Sequence, residues 1–195
     1  MPAELIIVSL AFLIFQKISM LEVCALSFDY QDRPLLKKLQ FSLPTGTLLH
    51  LRGANGAGKT TLLKILAGLL QAQEGKIRYE GEEISKNLSA YQRQLCYVGH
   101  KLGLNPLLTV RENCYFDMHW QRREVDFTQL LACFGLRGLE DEPCFKLSAG
   151  QRRRIGLLRI AMTDAGLWLL DEPLVALDTE AIKTLTNWLE NHVEQ

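Results

Sequence analysis

Apolar residues follow two different spacings along this chain. Short apolar runs bounded by Gly, Pro or Asp residues predict β-strands, whereas apolar residues three or four positions apart predict helices. Strand-like runs dominate the first half of the chain, and helical spacing follows at about residues 108–147, which we interpret as a helical insertion into a mainly parallel core. The predicted strands are residues 21–28, 35–43, 47–51, 76–79, 95–99 and 167–170, and the predicted helices are residues 61–70, 110–120, 127–134 and 179–192.

An apolar segment precedes the first predicted strand. Residues 5–15 are apolar except for Ser9, but this run is shorter than the roughly 20 residues of a membrane-spanning helix. It also lacks the basic start and the small-residue cleavage site of a secretory signal. We interpret residues 1–19 as an upstream extension and Met20 as the natural start, with a membrane-touching or partner-binding segment as the alternative.

Composition excludes several classes of protein. The chain has 22 basic and 22 acidic residues, so its net charge of zero offers no electrostatic basis for binding nucleic acid. Its 195 residues suit one domain, or one core with a small insertion. Its five cysteines are scattered and form no C-x-x-C pair, which argues against a disulfide framework and a zinc site and fits a reducing cytosol.

One stretch matches a phosphate-binding motif at every position. Residues 53–60 fit G-x-x-x-x-G-K-[ST] and lie between a predicted strand and a predicted helix. Glycines allow a tight turn that points backbone N–H groups at phosphate oxygens, and the following helix N-terminus favours an anion. Lys59 can reach the β- and γ-phosphates, and the Thr60 hydroxyl can bind Mg²⁺. The predicted nucleotide-binding residues are Gly53, Ala54, Asn55, Gly56, Ala57, Gly58, Lys59, Thr60 and Thr61.

A capping-box pattern marks the start of a second helix. Ser148 is followed three residues later by Gln151 and then by apolar residues, which predicts that Ser148 caps a helix N-terminus. The free N–H groups of that turn can receive an anion. Without further context, the same pattern also fits an ordinary helix start.

Two acids end the most apolar predicted strand. Residues 167–170 form an apolar run typical of a parallel strand buried on both faces, and Asp171 and Glu172 follow directly. In open α/β sheets, ligands bind at the carboxyl ends of the strands, so both acids are expected at the nucleotide. Asp171 can bind Mg²⁺, and Glu172 can orient or deprotonate the attacking water.

Three parts of the sequence together resemble the ATP-binding-cassette (ABC) ATPases. They are the phosphate motif, residues 147–151 (LSAGQ), and residues 169–173 (LLDEP) followed by Asp178. The resemblance covers nearly all of residues 21–195. It implies an α/β P-loop NTPase fold with a mainly parallel core sheet, an antiparallel β subdomain and a helical subdomain. It also implies ATP and Mg²⁺ as ligands and a head-to-tail homodimer with two ATP molecules between its subunits.

The resemblance also implies roles for single residues. Tyr30 stands where the family places an aromatic ring on adenine, and Glu172 corresponds to the catalytic base. Ser148 and Gly150, with Gln151 beside them, are implied to contact the ATP bound to the opposite subunit, and Asp178 to couple the two sites. We interpret Arg152, Arg153 and Arg154 as a solvated helix face rather than a second phosphate grip.

Two positions depart from the general family pattern. His100 replaces the glutamine that ordinarily contacts Mg²⁺ and the lytic water, and we expect it to serve as a hydrogen-bonding group instead. The chain is also C-terminally shortened, because the helix after Asp178 is not followed by the family's final strand and switch histidine. His192 comes too early to be that histidine, and loss of a central strand is expected to expose a sheet edge.

The sequence resembles one subfamily in particular, the CcmA haem exporter ATPases of bacterial cytochrome c maturation, which share His100. This resemblance implies integral membrane subunits as partners and a location on the cytoplasmic face of the bacterial inner membrane. No residue pattern indicates direct haem contact, because C-x-x-C-H is absent. The alternatives are the ATPase subunit of a different ABC transporter and a non-hydrolysing ATP-binding module.

Overall fold

The strands in the described part of this chain form two β-sheets. The computed structural model describes residues 11–15, 21–30, 33–116, 123–175 and 177–194. In chain order, the strands are β1 (Ala11–Phe15), β2 (Leu21–Tyr30), β3 (Arg33–Leu43), β4 (Leu48–Leu51), β5 (Glu74–Tyr79), β6 (Glu82–Glu83), β7 (Leu95–Val98) and β8 (Leu167–Asp171). The helices are α1 (Lys59–Leu66), α2 (Leu88–Gln92), α3 (Val110–Phe116), α4 (Phe127–Cys133), α5 (Ala149–Ala161) and α6 (Thr179–Glu194).

The first sheet has the strand order β4-β1-β8-β7. β7 and β8 are parallel, and β1 is antiparallel to both β4 and β8, so β4, β8 and β7 all run in one direction. Every residue of β8 is buried, as expected for a strand covered on both faces. The shared direction brings the carboxyl ends of β4, β7 and β8 to one edge of the sheet, and the phosphate motif follows β4 at that edge.

β1 belongs to the apolar segment that we interpret as an upstream extension. It pairs with β8 along Ala11–Phe15 and with β4 from Ala11 to Ile14. An exposed sheet edge was expected in the core, but β1 gives β8 an antiparallel neighbour instead. Residues 1–10 and 16–20 lie outside the described residues. An unbroken apolar run fits any buried strand, so its sequence does not reveal which neighbours it joins.

The second sheet is antiparallel, with the order β3-β2-β5-β6. In β2 the buried side chains of Leu21 and Val23 alternate with more exposed neighbours, and the register then shifts before Leu26. Ala25 lies in this irregular part with a positive φ of 48°, which accounts for the break in alternation. β2 extends beyond the predicted strand and ends at Tyr30, next to the phosphate-binding loop.

Helix α1 begins and ends earlier than the predicted helix at residues 61–70. It begins at Lys59, directly after the glycine-rich loop, and ends at Leu66. Gly68 has a positive φ of 67°, a left-handed conformation that terminates the helix. A Cβ at this position would lie 2.4 Å from Leu88 Cδ1, so the Leu88 side chain would have to move as well, but it is the left-handed conformation that favours glycine.

The predicted helical insertion contains two short helices, α3 and α4, and loops that pack onto α5. Residues 117–122, which include the end of the first predicted helix of the insertion, lie outside the described residues. Asn113 is buried and its Nδ2 donates to the carbonyl oxygens of Asn105, Leu108 and Thr109. Asn113 thus supplies hydrogen-bond donors to the backbone carbonyl groups of the loop before α3, which need such partners when they are buried.

His192 lies on α6, as the sequence pattern predicts, and stacks against Trp168 of β8. The two rings are 3.5 Å apart between centroids and nearly parallel, and His192 is buried. The pKa of His192 is lowered from 6.5 to about 4, chiefly by burial, with a smaller contribution from the charge of Arg123 and an opposing one from a backbone hydrogen bond at Gly166. The folded chain therefore holds this imidazole neutral at neutral pH.

The stability of the fold is expected to depend on this histidine in acid. The unfolded state binds a proton at His192 below about pH 6.5, whereas the folded state resists protonation until about pH 4. The free energy of unfolding therefore falls by up to about 2 kcal/mol between about pH 7.5 and pH 5 on account of this residue. Urea unfolding of the parent chain and of His192→Phe measures the difference, because the variant lacks the titrating group. Equal losses in both proteins would contradict the prediction.

Candidate nucleotide site

The glycine-rich loop has the backbone conformation that its sequence predicts. Gly56 and Gly58 have positive φ values of 82° and 94°, and Gly58 is the N-cap of α1. A Cβ at Gly58 would lie 3.0 Å from the Leu35 side chain and 3.1 Å from that of Leu36. The φ angle favours glycine at this position, and any larger residue would also have to displace the two β3 leucines slightly.

Lys59 lies across the loop that precedes it. Its Nζ donates to the carbonyl oxygens of Gly53 at 2.6 Å and Ala54 at 2.9 Å. These contacts hold the ammonium group over the loop, at the N-terminus of α1, where its charge and the helix dipole both favour an anion. The carbonyl groups are neutral, so the positive charge of Lys59 remains available to phosphate oxygens.

Thr60 and Asp171 meet at the carboxyl edge of the first sheet. Thr60 Oγ1 donates to Asp171 Oδ2 at 2.9 Å, although the two residues are 111 positions apart. Asp171 is buried, and it ends β8 as predicted. A hydroxyl oxygen and a carboxylate oxygen at this distance match the hard oxygen ligands that Mg²⁺ prefers. Within the described residues, no three His, Cys, Asp or Glu side chains form a metal-binding group.

Glu172 and His100 face each other beside this pair. His100 Nδ1 lies 3.9 Å from Glu172 Oε2, and about three quarters of the His100 side chain is exposed. Glu172 has a positive φ of 53°, which is uncommon for a residue other than glycine. Non-glycine residues in this conformation cost free energy and are found more often at functional sites. The two predicted catalytic side chains thus lie close together at the ends of neighbouring strands β7 and β8.

A cleft of about 400 Å³ extends from the phosphate-binding loop to Glu172. Tyr30 lies at its rim, half exposed, with its ring 5.0 Å from that of Phe28 in an edge-on contact. An exposed aromatic ring beside a phosphate-binding loop offers a stacking surface for a base. The cleft is lined by Tyr30, Leu35, Asn55, Gly56, Gly58, Lys59, Thr60, Thr61 and Glu172.

The predicted capping box is present at the start of α5. The backbone N–H of Gln151 donates to Ser148 Oγ at 3.1 Å, and the backbone N–H of Ser148 donates to Gln151 Oε1 at 2.8 Å. Ser148 is exposed, and Gly150 is partly exposed. Ser148, Gly150 and Gln151 do not line the cleft of the phosphate-binding loop. Ala149 and Arg152 of the same helix start line a second pocket with His100 and Glu172. Ser148 itself is exposed, so this helix N-terminus is accessible to another molecule.

The interpretation of the three arginines as a solvated helix face is wrong. Arg153 is buried, and Arg154 bonds to the carbonyl oxygen of Phe134 and pairs with Asp178. The Ala181 backbone N–H, and then Arg154, hold the pKa of Asp178 below its usual value. Three consecutive helical residues span about 200° of the helix surface, so they cannot all face the solvent of a packed helix. That geometric limit was the signal in the sequence.

The comparisons with known proteins agree with this geometry. The sequence profile of the family described as ABC transporter matches residues 36–175. A protein of Legionella pneumophila (strain Lens), "Cytochrome c biogenesis ATP-binding export protein CcmA", is 53% identical over 173 residues, which cover 89% of this chain and 86% of the relative. The protein with the same name from Idiomarina loihiensis is 42% identical over 167 residues, covering 83% of this chain and 75% of the relative.

A solved structure has the same fold. "Structure of ATP binding subunit of ABC transporter" superposes with a TM-score of 0.78 at 25% sequence identity, covering 90% of this chain and 75% of the other. In the part of the chain that the structure describes, no helix combines the length and apolarity needed to cross a lipid bilayer.

Proposed function

The chain belongs to the ABC transporter family of ATP-hydrolysing subunits, and from this membership we propose that it powers export for cytochrome c biogenesis, either by moving haem or by driving the release of a haem-loaded chaperone. ATP hydrolysis in this proposal rests on the contact between Thr60 Oγ1 and Asp171 Oδ2, because it joins the phosphate-binding loop to the strand that precedes the predicted base, Glu172. Export for cytochrome c biogenesis is supported by the name that the Legionella and Idiomarina relatives share.

In this proposal the glycine-rich loop and Lys59 bind the phosphates. Backbone N–H groups at the start of α1 bind the phosphate oxygens, and the Lys59 ammonium neutralises part of their charge. Thr60 and Asp171 would hold Mg²⁺ through their side-chain oxygens, and the ion, when bound, would neutralise charge on the phosphates. Tyr30 stacks on the adenine at the open rim of the cleft.

Glu172 accepts the proton of the attacking water in this proposal. Its carboxylate lines the same cleft as Lys59, so a water between Glu172 and a bound phosphate can be deprotonated as it attacks. His100 lies within reach of the same carboxylate and helps to orient that water by hydrogen bonding.

A head-to-tail homodimer completes the site. Ser148, Gly150 and Gln151 sit at an exposed helix N-terminus outside their own cleft, so they suit an ATP molecule held by a second subunit. Ser148 Oγ accepts a hydrogen bond within the capping box, but its O–H group remains free to donate to phosphate. Asp178, which pairs with Arg154 of α5, couples this helix to the loop after β8.

Integral membrane subunits on the cytoplasmic face of the bacterial inner membrane are the proposed partners. Leu107 and Phe145 are 77% and 58% exposed, and the Phe145 N–H donates to the Pro106 carbonyl, so the two apolar side chains lie on adjoining segments. Large exposed apolar side chains close together are typical of protein contact sites. These two residues offer an apolar surface for a partner beside the helical insertion.

Complementation tests the proposal in a cell. In a bacterium without its own CcmA-type export subunit, this chain is expected to restore haem-containing cytochrome c, whereas a Glu172→Gln variant is not. The Leu107→Ser, Phe145→Ser double variant is expected to lose membrane association and complementation but to retain ATP binding. Leu69→Ser is the matched control, because Leu69 is also exposed but lies after α1, away from these segments. Mg²⁺-dependent ATP turnover without restored cytochrome c would instead favour a different ABC transporter.

A further inference from the structure

Arg153 is a buried arginine without a carboxylate hydrogen-bond partner among the described residues. It lies on α5, five positions after Ser148, and only 7% of its surface is exposed. Its three hydrogen bonds go to backbone carbonyl oxygens, and its Nε has no partner in the described structure. Burying a guanidinium costs more free energy than burying an apolar side chain of similar size, so stability alone does not explain this residue.

The three carbonyl groups belong to the two strand ends that carry the predicted catalytic residues. Arg153 Nη1 donates to the Gly99 carbonyl oxygen at 3.1 Å, directly before His100. Nη2 donates to the carbonyl oxygens of Asp171 at 2.7 Å and Glu172 at 2.6 Å. One planar guanidinium therefore bridges the ends of β7 and β8. A lysine ammonium lacks the fixed fork that makes this bridge possible.

The bond to Glu172 acts on a strained part of the backbone. Glu172 has the left-handed φ of 53°, which needs support from its surroundings. Because Arg153 binds its carbonyl oxygen, it restrains the peptide that sets the direction of the Glu172 side chain. The same guanidinium restrains the peptide that leads into His100, so one side chain sets the backbone on both sides of the contact between His100 and Glu172.

We propose that Arg153 is a positioning residue that couples the Ser148 end of α5 to the backbone of Glu172 and His100. The inference rests on the proposed function, in which the Ser148 turn contacts ATP on a second subunit. A displacement of α5 on that contact moves the Arg153 guanidinium, and with it the two strand ends. When α5 of one subunit contacts the ATP held by its partner, that contact is thereby transmitted to Glu172 and His100 of the subunit that carries the helix.

Replacing Arg153 with methionine tests this role, because methionine retains the unbranched stem and removes the fork. We expect kcat for ATP to fall about 100-fold, the usual effect of misplacing a catalytic group by about 1 Å. The Kd for a fluorescent ATP analogue is expected to change less than about threefold, since Arg153 does not line the ATP cleft. Arg153→Lys is expected to recover part of kcat, as its ammonium can still reach one or two of the carbonyl groups.

Arg137→Met is the matched control, because Arg137 is an exposed arginine outside the site. Urea unfolding of each variant separates lost stability from lost positioning. Unchanged kcat in Arg153→Met would overturn the inference, and so would parallel losses of kcat and ATP affinity in both Arg153 variants, which indicate a structural role alone. Turnover of the parent chain in the same assay reports on the proposed function separately, since it does not depend on any Arg153 variant.

Discussion

Glu172→Gln is expected to lower kcat for ATP by at least about 100-fold, because glutamine cannot accept the proton of the attacking water. The amide has nearly the same shape as the carboxylate, so the backbone bond from Arg153 and the left-handed φ of this residue can persist. ATP affinity is therefore expected to stay within about threefold of the parent value. Single-turnover hydrolysis and titration with a fluorescent ATP analogue measure the two quantities separately.

The control for this substitution is Glu124→Gln, which makes the same change at an exposed carboxylate outside the cleft. It is expected to leave both turnover and affinity unchanged. Retained turnover in Glu172→Gln would remove Glu172 from the role of base. His100 is then the next group to test, because its Nδ1 lies 3.9 Å from the same carboxylate.

Lys59→Met is expected to weaken ATP binding by at least about 30-fold, the effect of losing a charge-assisted contact of about 2 kcal/mol or more. Lys59 already lies over the loop through its bonds to the Gly53 and Ala54 carbonyl groups, so its charge needs little rearrangement to meet a phosphate. Titration with a fluorescent ATP analogue gives the affinity.

Lys64→Met provides the comparison on the same helix. Lys64 is an exposed lysine of α1 outside the cleft, so its loss is expected to leave ATP affinity unchanged. Urea unfolding of both variants shows whether the loop collapses when its bonds to Lys59 are lost. Equal affinities for Lys59→Met and the parent chain would contradict the assignment of this lysine to the phosphates.

The elements around the site were predictable because their signals are local. The glycine-rich loop needs positive φ at Gly56 and Gly58, and the capping box needs Ser148 and Gln151 three positions apart. Both requirements are met within a few residues of chain, so the sequence pattern carries them in full. Thr60 and Asp171 were each predicted as Mg²⁺ ligands, and Asp171 was expected at the nucleotide from the rule that ligands meet the carboxyl ends of parallel strands; the 2.9 Å contact between them agrees with that expectation.

Arg153 and β1 were not predicted, because their environments come from distant parts of the chain. A run of arginines in a sequence suggests a solvent-exposed helix face, because the sequence does not show what packs against the helix. Here Arg153 contacts the ends of β7 and β8. The apolar run that contains Ala11–Phe15 is likewise compatible with many partners, and only strand pairing places it between β4 and β8.

The family and the predicted chemistry of the site follow from the sequence, because a phosphate loop, a capping box and a strand ending in two acids each occupy consecutive residues. The tertiary structure selects which groups surround these residues. It places the Arg153 guanidinium against the Glu172 carbonyl oxygen, leaves Ser148 outside the lining of the ATP cleft and pairs β1 with β8. Those outcomes depend on contacts between residues far apart in the chain, where packing and backbone pairing select one arrangement among many that the local pattern allows.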